Sequence, residues 1–132
     1  MHLLVVTPPV RDPAGIRSVR SAVAARLAAA DEAERNAVLL VVSELVTNAV
    51  LHAGGTAGVR VLDGDGRIRV EVDDVRAYEP PRERSTTPDD VTGRGLQIVG
   101  QLSERWGVEH HQGRKTVWCE MTPGSTAAFH AG

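Results

Sequence analysis

Val41-Val42-Ser43-Glu44-Leu45-Val46-Thr47-Asn48-Ala49-Val50-Leu51-His52-Ala53 is the stretch on which the reading of this chain turns. Its apolar residues recur at helical spacing. At 100° per residue, Val38, Val41, Val42, Leu45 and Ala49 fall on one side, as the core-facing stripe of a helix does. Glu44 and Asn48 are one turn apart and sit one above the other. They flank the stripe instead of lying opposite it, and His52 continues their row. A carboxylate and an amide at the margin of a buried face can point into a cleft while the helix stays anchored. On an isolated helix such a pair is most often a solvated edge, so the rest of the chain has to decide its meaning.

Moving toward the N-terminus, Asp31-Glu32-Ala33-Glu34 reads as a capping box that opens this helix. Before it, Ile16, Val19, Val23 and Leu27 predict a first helix running to about Ala30, with Asp12 as its cap and Pro13 at its first position. Leu3-Leu4-Val5-Val6 predicts a short edge strand, ended by Pro8 and Pro9.

Moving toward the C-terminus, Gly54-Gly55 stops the central helix. Val59 and Val61 alternate with polar or small residues, and Asp63-Gly64-Asp65-Gly66 is a hairpin signal. Ile68, Val70 and Val72 share one parity; Arg67, Arg69, Glu71 and Asp73 share the other. Asp74 falls with the apolar set, where a carboxylate is costly without a partner. Residues 76–92 are polar and Pro-rich and predict a long loop, a feature that is usually functional or disordered. Gly93-Arg94-Gly95 then precedes Leu96, Ile98, Val99 and Leu102 at helical spacing. Glycines opening a helix turn backbone N–H groups toward an anion, although the run is neither a Walker A motif nor GxGxxG. Trp106 to His110 and Lys115 to Met121 predict two more strands around a Gln112-Gly113 turn, with a loose tail over 123–132. The order of elements predicts an α+β two-layer sandwich, a mostly antiparallel sheet with helices on one face.

Composition narrows the function. The chain has 132 residues, enough for one domain with one real core. Its net charge is -2 with Lys and Arg dispersed, which argues against direct nucleic-acid binding. Cys119 is the single cysteine, so no internal disulfide forms, which suits a reducing, cytoplasmic setting. No apolar run approaches the roughly 18 residues of a membrane span, and Leu3 to Val6 lack the basic flank of a secretory signal. His110, His111 and Cys119 match no standard zinc spacing and are read as strand residues. No Ser-His-Asp or Cys-His triad emerges from spacing.

Taken together, these motifs resemble a known superfamily. Glu44-Leu45-Val46-Thr47-Asn48-Ala49 with His52-Ala53 resembles the N-box of the GHKL (Bergerat-fold) ATPases. Val70-Glu71-Val72-Asp73-Asp74 stands where their adenine-binding aspartate box falls, and Gly93-Arg94-Gly95-Leu96-Gln97-Ile98-Val99 resembles their second glycine box. Lys115-Thr116-Val117-Trp118 resembles their final threonine-bearing strand. The similarity covers roughly residues 12–121 and is closest to the small bacterial anti-sigma-factor serine/threonine kinases. It implies a kinase-like domain over 1–122 that binds ATP and Mg²⁺. Asn48 would ligate the metal and Glu44 would be the general base. Asp74 would accept the adenine amino group, and Thr116 would support the adenine end. Gly93, Arg94 and Gly95, with Leu96 and His52, would complete the nucleotide site. The implied partners are an anti-anti-sigma (STAS-type) protein and a sigma factor, and relatives of this type are commonly homodimers.

The chain departs from the family in one place. Asp74-Val75-Arg76 stands where the box usually reads Asp-x-Gly, whose glycine lets the backbone approach adenine. The choice of Asp74 over Asp73 rests on strand parity and box alignment. Retention of Glu44 and Asn48 favours a kinase. The lost glycine favours a catalytically weak or inactive nucleotide-binding module that acts through protein binding. A histidine-kinase catalytic domain is a third reading, set against the absence of a dimerisation helix pair ahead of the domain.

Overall fold

Period-2 strands and period-3.6 helices both appear in the computed structural model, which describes residues 1–53, 56–75, 93–111 and 114–122. The elements in chain order are β1 (His2–Val6), α1 (Pro13–Arg26), α2 (Glu32–Ala53), β2 (Thr56–Gly64), β3 (Arg67–Val75), α3 (Gly93–Leu102), β4 (Arg105–His111) and β5 (Arg114–Met121). The strands form one sheet in the order β1-β2-β3-β5-β4, with every pairing antiparallel. This is the α+β arrangement the sequence predicts. The 76–92 loop, the Gly54-Gly55 stop, the Gln112-Gly113 turn and the 123–132 tail lie outside the described residues.

Local chemistry explains the element ends. Asp12 caps α1 by accepting from the Gly15 N–H at 2.9 Å. The helix stops at Arg26, short of the Ala30 expected from periodicity. Arg35 of α2 supplies the reason. Its guanidinium donates to the carbonyls of Leu27, Ala28 and Ala30 at 3.5, 3.5 and 3.1 Å, so the chain turns there without continuing the helix. Between β2 and β3, Asp65 and Gly66 both have positive φ, 55° and 73°. That is the backbone of a two-residue hairpin turn whose twist matches the flanking strands.

Helix α2 is the centre of the core. It packs against α1, α3, β2 and β3. Its buried side chains include Ala37, Val38, Val41, Val42, Leu45 and Val46, a wider arc than the stripe read from sequence. A β-branched run is a mediocre helix former, and burial on three sides overrides that preference. Facing it from the sheet are Val59, Val61, Ile68, Val70, Val72, Val117, Cys119 and Met121, all in the same core cluster. Burial pushes the Cys119 thiol up to about 11, which leaves it a neutral group in the core.

The other face of the sheet is built from charge. Arg60 donates to Glu71 at 2.8 Å and to both oxygens of Asp73, Nη1 to Oδ2 at 2.6 Å and Nη2 to Oδ1 at 3.1 Å. Arg69 donates to Glu71 at 2.7 Å and to Glu120 at 2.9 Å. Arg105 donates to Glu120 through Nη2 at 2.6 Å and Nε at 3.2 Å. Acid and base alternate from β2 across β3 and β5 to β4, so the ladder ties four strands together. Arg69 also lies over the Trp118 ring, 4.3 Å from its centroid. Gly107, opposite Trp118, leaves room for the indole: a Cβ there would sit 3.0 Å from Cζ2 and Nε1.

The ladder makes stability pH-dependent. Burial disfavours the Glu71 carboxylate, but hydrogen bonds from Arg69 and Arg60 outweigh it and hold its pKa below the ordinary 4.5. Glu120 is also depressed, by the Arg105 hydrogen bond against burial and with help from Arg69. A depressed carboxylate contributes its stability in full above the unfolded pKa and loses it as pH falls through the folded pKa. Unfolding midpoints in urea should therefore drop below about pH 4.5. Arg69→Leu should lower stability near neutral pH and make the acid loss shallower. Parallel pH curves for the two proteins would show that Arg69 does not hold these carboxylates ionised.

Candidate functional site

The central helix places the first two candidates. On α2 the buried arc has two margins. Arg20 of α1 donates to the Leu39 carbonyl at 3.3 Å and to the Ser43 hydroxyl, which marks the side that α1 covers. At 100° per residue, Glu44 and Asn48 fall at the opposite margin. Asn48 is 7% exposed, a buried amide at the rim of a hydrophobic core. Glu44, one turn earlier, is half-buried. His52 lies in the last turn of the same helix.

The sheet brings a second part to that helix end. After Ala53 the chain re-enters the sheet at Thr56. Ala57 stands opposite Asp74, so the C-terminal end of β3 is brought back beside the C-terminal end of α2. On its other side Asp74 stands opposite Lys115 of β5. Position 74 has the parity of Val70 and Val72, whose side chains pack in the core with those of α2. The third part is the first turn of α3, where Gly93, Arg94, Gly95 and Leu96 stand and which holds no acidic residue. The glycines lie inside this helix and do not merely precede it. A helix N-terminus attracts anions. Helix α3 packs on α2.

Thr116 lies on β5, opposite Asp73. Its hydroxyl donates to Asp73 Oδ1 at 2.6 Å. Asp73 and Thr116 are register partners on the face away from the helices, and both are only 5% exposed. Thr116 therefore holds Asp73. The same contacts separate the two aspartates. Asp73 is engaged by Arg60 and Thr116 on the far face, while position 74 has the opposite parity. Sequence reading missed Arg60 and the buried state of Asp73. The available signal was the parity shared by Arg69, Glu71 and Asp73, which predicts a charged face but not its cross-strand partners.

The donor set suits a hard cation that brings its own ligands. Among the described residues, no three His, Cys, Asp or Glu side chains cluster so as to hold a metal ion. An amide oxygen at Asn48 would therefore be one ligand among phosphate oxygens and waters, as Mg²⁺ prefers. His110 and His111 are exposed on β4, as their reading as strand residues requires. Among the described residues, no helix is long and apolar enough to cross a membrane.

Comparison with known families agrees with this geometry. The model of the histidine kinase-like ATPase domain matches residues 9–121. No curated protein matches the chain significantly. The matched span contains all three helices, strands β2 to β5 and every candidate from Glu44 to Thr116. The chain belongs to the histidine kinase-like ATPase domain family of the GHKL superfamily.

Proposed function

We propose that this domain binds Mg-ATP where α2, the end of β3 and the first turn of α3 meet, and transfers the γ-phosphoryl group to a protein serine or threonine. The proposed acceptor is an anti-anti-sigma partner of the STAS type. In the other state of that switch the protein holds a sigma factor. The observation that carries this reading is Glu44 and Asn48 together, one turn apart at the α2 margin away from α1, with Asn48 buried.

Each residue then has a physical task. Asn48 would hold Mg²⁺, which when bound neutralises the phosphate charge. Asp74 accepts a hydrogen bond from the adenine amino group. The first turn of α3 presents backbone N–H groups to phosphate oxygens. Glu44 takes the proton of the attacking hydroxyl as the new O–P bond forms and the bond to the ADP oxygen breaks. Phosphoryl transfer needs positioning and charge compensation more than covalent chemistry, so a half-buried carboxylate one turn from the metal ligand is sufficient.

A second reading has its own support. Arg76 stands where the family's aspartate box usually has glycine. That favours a module that binds its protein partner with weak or no phosphoryl transfer.

Glu44→Gln distinguishes the two readings. A general base contributes typically 10²–10⁴-fold to the transfer step and little to binding. The variant should bind Mg-ATP and partner like wild type while transfer falls by about that factor. Wild type that binds a sigma factor tightly but phosphorylates no STAS-type protein would favour the module. Equal transfer rates would remove Glu44 as the base. Asn48→Ala tests the metal assignment separately. It should weaken ATP binding in Mg²⁺ by about tenfold or more and leave Mg-free binding nearly unchanged. Equal losses in both conditions would make Asn48 a structural residue of α2.

A further inference from the structure

We propose that β4 is the surface through which two copies of this chain join, edge to edge and antiparallel, in a register centred on Gly107. Strand β4 ends the sheet order, so among the described residues no strand pairs with its outer side. A strand edge of this kind carries unpaired backbone N–H and C=O groups and accepts a further strand. Edges are commonly blunted by a bulge, a lysine or a proline. Strand β1, at the opposite edge, has such an irregularity between Leu3 and Val5. Strand β4 reads Arg-Trp-Gly-Val-Glu-His-His, without lysine or proline, and its register with β5 runs from Arg105 to His111 with no shift. The inference is independent of what the nucleotide site binds.

The two faces of β4 carry different chemistry. Trp106 and Val108 stand opposite Cys119 and Val117, so they have the parity of the helix-side core. Even so, they are 41% and 40% exposed. Helix α3 meets Trp106 at Gly100, which has no side chain to cover the indole: a Cβ there would lie 3.9 Å from Trp106 Nε1. Arg105 and Glu109 stand on the ladder face, opposite Glu120 and Thr116, with side chains 60% and 50% exposed. The strand is complementary to itself in one antiparallel register. Centred on Gly107, it sets Trp106 opposite the second copy's Val108 and Arg105 opposite the second copy's Glu109, and two-fold symmetry makes each contact twice. Centred on Val108, it would set Arg105 against His111 and Trp106 against His110. Centred on Trp106, it would set Val108 against Glu104 and leave Arg105 facing Gly107. The first register alone pairs apolar with apolar and acid with base. It continues the ladder from β5 through β4 into the second copy and keeps both helix layers on the same side of the joined sheet.

The test is sedimentation equilibrium of the full chain over a range of concentrations, with thermal midpoints taken at the lowest. A strand edge buries little area, so wild type should dimerise with a micromolar or weaker dissociation constant. Val108→Glu puts a carboxylate opposite Trp106, and Glu109→Arg puts like charge opposite Arg105. Each should raise that constant by about tenfold or more, since each contact is lost twice, and leave the thermal midpoint unmoved, since both side chains are exposed. Cross-linking reads the register. Trp106→Cys mixed with Val108→Cys should form the mixed disulfide on mild oxidation while neither does so alone, because directly opposite positions have Cα atoms close enough to bridge. Cys119 is buried and stays out of the reaction. If either charge variant lowers the midpoint, the cross-link decides by itself. A wild type that stays a single chain at millimolar concentration overturns the proposal, and so does a dimer indifferent to both substitutions. Val108→Cys or Trp106→Cys linking to itself and not to the other variant overturns the Gly107 register.

Discussion

The burial of α2 on three sides is the constraint from which the rest of the structure follows. A helix covered by α1, α3 and the sheet needs apolar residues around most of its circumference, and this one supplies valines. Each fully buried valine contributes roughly 1.5–3 kcal/mol relative to exposure. That anchoring lets the helix hold an amide, Asn48, at the rim of the core at a fixed depth and angle. A polar group placed this way is costly on a mobile element and useful on a rigid one. The same anchoring fixes Glu44 one turn away, so the spacing between the carboxylate and the amide is a property of the helix itself.

The sheet divides its labour by face. Toward the helices it is almost wholly aliphatic. Away from them it is a ladder of alternating acids and bases that crosses four strands and is capped by Arg69 over Trp118. Among the described residues, the face away from the helices is held by cross-strand pairs satisfied by hydrogen bonds. Asp73 and Asp74 stand at the boundary of the two regimes. They are adjacent in sequence and opposite in parity, and Asp73 belongs to the ladder.

Much of this was legible in the chain itself. The amphipathic spacing of α1 and α3, the Asp12 cap, the Asp65-Gly66 turn and the valine parity of β3 all follow from local rules. The positions of Glu44 and Asn48 on one edge of α2 followed from period alone, while the roles proposed for them came from the resemblance to a family. The contacts that could not be read from sequence have a common cause. Arg35 ends α1 from another helix, Arg60 reaches across to Asp73, and Thr116 pairs with a residue 43 positions away. Parity says which face a residue occupies, but register decides whom it meets there. Register between β3 and β5 is fixed only when the whole sheet is assembled. The full burial of Asn48 was likewise hidden, because it depends on how wide an arc of α2 its neighbours cover.

The proposed function makes one central claim: nucleotide would be held between the Asn48 margin of α2, the Asp74 end of β3 and the Gly93 turn of α3. The most direct measurement is a titration of ¹⁵N-labelled protein with Mg-ATP, followed by backbone amide shifts. The account predicts that the largest changes cluster at Glu44 to His52, at Asp73 to Val75 with Lys115, and at Gly93 to Leu96. The β2–β3 turn at Asp65-Gly66 and strand β1 should be unmoved. Shifts centred on β1 or on the outer end of the ladder around Arg105, or no shifts at high Mg-ATP, would contradict it.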